Sequence, residues 1–235
     1  MTTRAEEIAA NLGAVRARIE AACARAGRDV DDLTLTVVTK HFPASDIRVL
    51  HRLGVRHLGE NRHQEAQQKA AETTDLDVTW HFVGSLQTNK APAVASYADV
   101  VESVDRPRLV SALTRGAAGR QERLVCLVQV NLDLDGERLS GRGGAAPADV
   151  VALAEQVAAS EGLTLRGVMA VAPRDADPRP AFDALVELAQ RVRSVDPAAT
   201  WVSAGMSGDL EAAVEAGATH LRIGSAVLGE RPPIQ

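Results

Sequence analysis

The chain of 235 residues carries 26 Lys+Arg against 31 Asp+Glu, a net charge of −5, with 46% hydrophobic and 24% charged residues; that balance suits a globular protein and excludes disorder. The acidic sign and the 3% aromatic content speak against a dedicated nucleic-acid binder, which presents a basic face and stacking aromatics. No apolar run reaches the roughly 18–20 residues that span a bilayer, residues 1–7 are polar with no signal-peptide core, and Cys23 and Cys126 are too few for a disulfide framework, so a cytoplasmic protein without a membrane partner is expected.

Residues 1–27 read as an amphipathic helix, with Ile8, Leu12, Val15 and Ile19 at helical spacing and Gly27 as its stop. Short β-branched runs then alternate with helical stretches. Strands are expected at 33–38, 57–60, 78–83, 100–104, 124–130, within 163–171, at 200–203 and at 220–223. Helices are expected at 43–53, 62–71, a short piece after Lys90, from Pro107 onward, at 148–159, 180–192 and 209–216, with a turn through Gly229 after the last strand. Residues 133–147, with Gly136, Gly141, Gly143 and Gly144, read as a mobile loop. Eight strand–helix units in this length predict an α/β protein, a closed (β/α)8 TIM barrel forming a single domain over residues 1–235.

A barrel places its active site at the C-terminal ends of its strands. Those ends carry Lys40, Glu60, Asn61, His81, Ser103, Asn131, Met169, residues 203–209 and residues 222–225, a polar set that suits a lined pocket. Lys40 is one of only three lysines, with Lys69 and Lys90, in a chain whose other cations are arginines. An amine at the barrel mouth could form a Schiff base, which a guanidinium does not; it could equally be a solvated strand cap. The two loops Ser203-Ala204-Gly205-Met206-Ser207-Gly208-Asp209 and Arg222-Ile223-Gly224-Ser225 resemble a phosphate cradle, which barrels build after strands seven and eight. Arg222 could pair with phosphate or donate to a ring nitrogen. The six histidines show no metal-ligand spacing, no Gly-x-Ser-x-Gly elbow supports a hydrolase, and Cys126 reads as core.

Several segments then carry a family resemblance at matching spacing: VVTKHFPASDI around Lys40, HLGENRHQEAQQK at 57–69, WHFVGSLQTNK at 80–90, VESVDRPRL at 101–109, VQVNLD at 128–133 and SAGMSGDLEAAVEAGATHLRIGSAVLGER at 203–231. The chain resembles the pyridoxal 5′-phosphate (PLP) homeostasis proteins, single-domain relatives of the alanine racemase N-terminal barrel, the PLP fold type III. The resemblance implies that Lys40 carries PLP as an internal aldimine, that Ser203, Ser207, Gly224 and Ser225 hold the phosphate, and that Arg222 faces the pyridine nitrogen. It also implies that Asn61 and Met206 line the ring, while His81 supports the wall. The chain departs from its relatives at Phe42 and Arg142, where they often have lysine, at Ser85, often histidine, and at Ala204, often larger.

The implied function is PLP binding in vitamin B6 and amino-acid homeostasis, with no catalytic residue, no metal, and PLP-dependent enzymes as recipients of the cofactor. The competing readings are a PLP-dependent amino-acid racemase and a barrel for some other phosphorylated metabolite. In racemases of this fold the other face is served by a tyrosine from an additional β-domain, packed against a second subunit. Here the sequence stops at Gln235, where the barrel closes, and the single tyrosine, Tyr97, is expected near the opposite rim. Efficient racemisation is therefore not expected.

Overall fold

The computed structural model describes residues 2–133, 143–173 and 176–230. The chain opens with helix α1 (Arg4–Ala26), which starts at a capping box between Thr3 and Glu6 and ends at Gly27 in the left-handed region, φ 64°. Eight parallel strands follow: β1 (Thr34–Val38), β2 (His57–Glu60), β3 (Thr79–Phe82), β4 (Val100–Val104), β5 (Leu124–Gln129), β6 (Leu163–Met169), β7 (Trp201–Ser203) and β8 (His220–Ile223). They pair in sequence order, and β8 returns to β1 through Thr34↔His220 and Val37↔Ile223, closing the barrel.

The outer layer comprises α2 (Ala44–Arg52), α3 (His63–Glu72), α4 (Ala91–Ala95), α5 (Pro107–Ala117), α6 (Val150–Ala158), α7 (Pro178–Arg193), α8 (Leu210–Ala216) and α9 (Ser225–Leu228). Most of the core lies between this layer and the outer face of the barrel, where Ile47, Leu50, Leu109, Leu113, Leu153, Phe182 and Leu185 are fully or almost fully buried. A separate cluster of Val100, Leu127 and Met169 fills part of the interior. Strand and helix limits fall within three residues of those expected from periodicity, because β-branched runs and i, i+3, i+4 spacing report burial directly. The expected loop at 133–147 is described only at its two ends. Its return is tied to β5 by a bridge from Ala145 to Val130 and by Gln129 Nε2 donating to the Gly143 carbonyl at 2.9 Å. Gly136, Gly141 and Arg142 lie outside the described residues.

Helix α1 buries Ile8, Leu12, Val15 and Ile19 against the barrel's helical shell. Its polar side chains grip backbone at the mouth. Arg18 Nη2 donates to the Ser207 carbonyl at 3.1 Å, Asn11 Nδ2 to Val227 at 3.2 Å and Arg4 Nη2 to Leu228 at 2.9 Å. The extra helix therefore fastens the loops after β7 and β8. Among the described residues, no helix is long and apolar enough to cross a membrane.

Candidate functional site

The C-terminal strand ends open into a cavity of about 400 Å³. Lys40, Asn61, Met206, Ser207, Arg222, Gly224 and Ser225 all line it, and Val38, Phe42, Val83 and Val171 supply apolar wall. Lys40 is half-buried two residues beyond β1. Phe42 packs into the wall with the Arg4 guanidinium 5.4 Å above its ring, a cation–π contact. The Ser207 and Ser225 hydroxyls meet at 3.3 Å, and the Ala226 N–H donates to Ser207 Oγ at the same distance. Two glycines are required here. Gly205 has φ 92°, and a Cβ there would stand 2.7 Å from that of Ala213. A Cβ on Gly84 would collide with the Asn61 carbonyl. Asn61 Oδ1 is buried without a hydrogen-bond partner, an acceptor in the cavity wall that a ligand donor would satisfy.

The turn bearing Lys40 is anchored from α3. Glu65 and Lys69 stand four residues apart and share one helix face. Lys69 Nζ donates to Glu65 Oε1 at 2.7 Å, to Glu60 Oε1 at 2.7 Å and to the Thr39 carbonyl at 2.8 Å. Glu65 Oε1 in turn accepts the His41 N–H at 2.5 Å. His41 has φ 71°, the left-handed region, which costs a non-glycine residue about 1–2 kcal/mol. The residues on both sides of Lys40 are thus held by one buried ion-pair cluster. Burial pushes the Glu60 carboxyl above its ordinary value despite the opposing pull of Lys69.

Beneath the mouth, side chains from opposite sides of the barrel meet in its interior. Arg222 Nη1 donates to Ser203 Oγ at 2.6 Å, and Ser203 Oγ donates to Glu102 Oε2 at 2.6 Å. Glu102 Oε1 contacts His81 Nδ1 at 2.7 Å, and His81 Nε2 lies 3.0 Å from His57 Nδ1. Burial favours the neutral acid at Glu102, but the hydrogen bond and charge of His81, with Arg222 and Ser203, outweigh it and hold the carboxyl down to about 2. Burial and the neighbouring His81 push His57 down to about 4, and burial pushes His220 down to about 3 against the attraction of Glu102.

These contacts correct one expectation. Ser203 is fully buried and does not line the cavity; its hydroxyl is engaged by Glu102 and Arg222 rather than facing a phosphate. His81, expected to support the wall, is buried in this interior network behind the cavity surface. A second correction concerns Tyr97. Although it precedes β4, its ring stacks on His63 at the start of α3, 5.9 Å between centroids. Its phenol is buried without a hydrogen-bond partner.

Sequence reasoning missed Glu102, Glu65 and the role of Lys69. A carboxylate inside the apolar β4 run Val-Val-Glu-Ser-Val was the available signal for Glu102, since a buried charge demands a partner. Its neighbour Ser103, expected at the strand end, has a hydroxyl buried without a hydrogen-bond partner.

Comparison with known proteins gives the family and the fold. The profile of the alanine racemase N-terminal domain family matches residues 10–232. A protein of Mycobacterium tuberculosis named pyridoxal phosphate homeostasis protein is 45% identical over 244 aligned positions, covering 97% of this chain and 94% of that one. The chain belongs to the pyridoxal phosphate homeostasis protein family. The solved structure of PipY of Synechococcus elongatus, described with PLP bound, is 33% identical, with a TM-score of 0.80 over 94% of this chain and 100% of that one. The alanine racemase of Corynebacterium glutamicum shares the fold at 14% identity, with a TM-score of 0.69 over 98% of this chain and 63% of its own.

Proposed function

We propose that this chain binds PLP in the mouth cavity, as a Schiff base to Lys40 Nζ, and serves vitamin B6 and amino-acid homeostasis as a carrier that releases the cofactor to PLP-dependent enzymes. The observation that carries the reading is the composition of one cavity. An amine, two converging hydroxyls, an unpartnered amide oxygen and a guanidinium line about 400 Å³ between apolar walls. That set suits an aromatic aldehyde bearing a phosphate. Ser207, Ser225 and the Gly224 backbone serve the phosphate, Asn61 and Met206 the ring, and Arg222 the ring nitrogen. Ser203 acts from behind on Arg222 directly, and His81 through Glu102.

PLP supplies an electrophilic carbonyl and, when its ring nitrogen is protonated, an electron sink. Arg222 stays positively charged and disfavours that protonation, so it weakens the sink. Racemisation also needs proton exchange on both faces of the substrate. Among the described residues lining the cavity, Lys40 and Arg222 are the only titratable side chains, and the guanidinium does not give up its proton. The set favours holding the cofactor over turning it over. The test is to load the purified protein with PLP, reduce with borohydride and map the added mass. The mass is expected on Lys40 and absent from Lys40→Ala, which keeps its fold because a half-buried strand-end lysine adds little to the core. Retention of covalent PLP by Lys40→Ala would refute the assignment.

A further inference from the structure

Arginine only donates hydrogen bonds, and an ionised carboxylate only accepts them. The direction of each contact around Glu102 is therefore set. Arg222 Nη1 gives a proton to Ser203 Oγ, so the single Ser203 proton goes to Glu102 Oε2, and His81 Nδ1 gives a proton to Glu102 Oε1. Arg222 Nη2 donates one N–H to the Ala170 carbonyl at 2.7 Å. Each terminal nitrogen of the guanidinium is thus anchored through one of its two N–H groups to a partner that does not line the cavity. Arg222 is 5% exposed and Glu102 0%, and the carboxylate stands 3.7 Å from Nη1. Swinging the guanidinium would break two buried bonds and separate two buried charges. Glu102 comes from β4 and Arg222 from β8, so this contact spans the barrel and does not depend on neighbouring-strand register.

We infer that Ser203 and Glu102 are positioning residues for the ring-nitrogen side of the cofactor pocket: they fix the Arg222 guanidinium from inside the barrel, and His81 fixes Glu102. Neither touches the cavity, so their effect reaches a ligand only through Arg222. The inference rests on the reading of the cavity as a PLP site, and its test separates the two.

Ser203→Ala is the variant of choice, because it removes the bridging hydroxyl while leaving both charges in place, whereas removing Glu102 strands a buried cation. Two ligands are compared by titration: PLP and its analogue with carbon in place of the ring nitrogen. Ser203→Ala should weaken PLP roughly tenfold, the equivalent of about 1.4 kcal/mol. The analogue should change less than about twofold, and Ser203→Thr should restore PLP binding to within about twofold. Equal weakening of both ligands would mean a merely structural role, and no weakening of either would mean that Arg222 is held without Ser203; each overturns the inference. In the unliganded protein, the ¹⁵N signals of the Arg222 guanidinium should show hindered rotation that Ser203→Ala releases. Unchanged Arg222 signals overturn the positioning role whether or not PLP binds. Failure of the unaltered protein to take up PLP would defeat the cofactor reading and leave the Arg222 measurement to decide the relay.

Discussion

Replacing Lys69 by methionine keeps the stem's apolar bulk but removes three hydrogen bonds and one of two opposite charges buried beside Lys40. Glu60, 1% exposed, would retain only the Thr39 hydroxyl at 2.6 Å. Glu65, whose side chain is 24% exposed, can turn to water. The folded variant can escape an unpaired charge by protonating Glu60, which limits the penalty. From the ordinary value of 4.5 to about pH 7 that costs about 2.5 pH units at about 1.36 kcal/mol each, or about 3.4 kcal/mol. The orphaned Thr39 carbonyl adds about 1 kcal/mol, so a loss of about 3–5 kcal/mol is expected at neutral pH, the range for breaking a buried pair. Burial already pushes Glu60 upward, and without Lys69 its folded value rises further. A carboxyl raised in the folded state is harmless below 4.5 and costs stability as pH climbs through the raised value. At about pH 5 the protonation cost falls to about 0.7 kcal/mol. Urea unfolding of both proteins at the two pH values reads this directly. An equal loss at both, or a loss under about 1 kcal/mol at neutral pH, would refute the reasoning.

Ser207→Ala and Ser225→Ala each remove a hydroxyl donor to a charged group, worth about 1.5–3 kcal/mol, so PLP should bind roughly tenfold to hundredfold more weakly while pyridoxal without phosphate changes little; equal losses in paired titrations would count against the cradle. PLP-loaded protein should exchange the α-proton of amino acids only slowly. Deuterium exchange or enantiomer conversion on the order of 1 per second, abolished in Lys40→Ala, would turn the carrier reading into catalysis. Acid should destabilise the fold early, because His57 and His220 stay neutral down to about 4 and about 3 when folded yet protonate near 6.5 when unfolded. Stability is full above 6.5 and lost as pH falls through that window, with a slope approaching about 2.7 kcal/mol per pH unit for the pair; Glu102, held to about 2, adds a further loss below its ordinary 4.5. Urea midpoints that stay level between about pH 6.5 and pH 5 would contradict this.

The sequence by itself determined the barrel. Strand and helix periodicity reports which residues leave water, and eight β-branched runs separated by helices admit few parallel closures. It also determined the mouth residues Lys40, Asn61, Met206, Ser207, Arg222, Gly224 and Ser225, because strand ends in such a barrel all face one side. What it did not determine was depth. Ser203 and Ser207 sit in one loop and read alike, yet one hydroxyl is consumed inside the barrel and the other lines the cavity. Nor could it connect Glu102 of β4 to Arg222 of β8, or place the Tyr97 ring against His63. Periodicity records burial along one chain segment, whereas a hydrogen bond across the barrel depends on where eight strands close, and only the tertiary structure brings residues 102, 203 and 222 within reach.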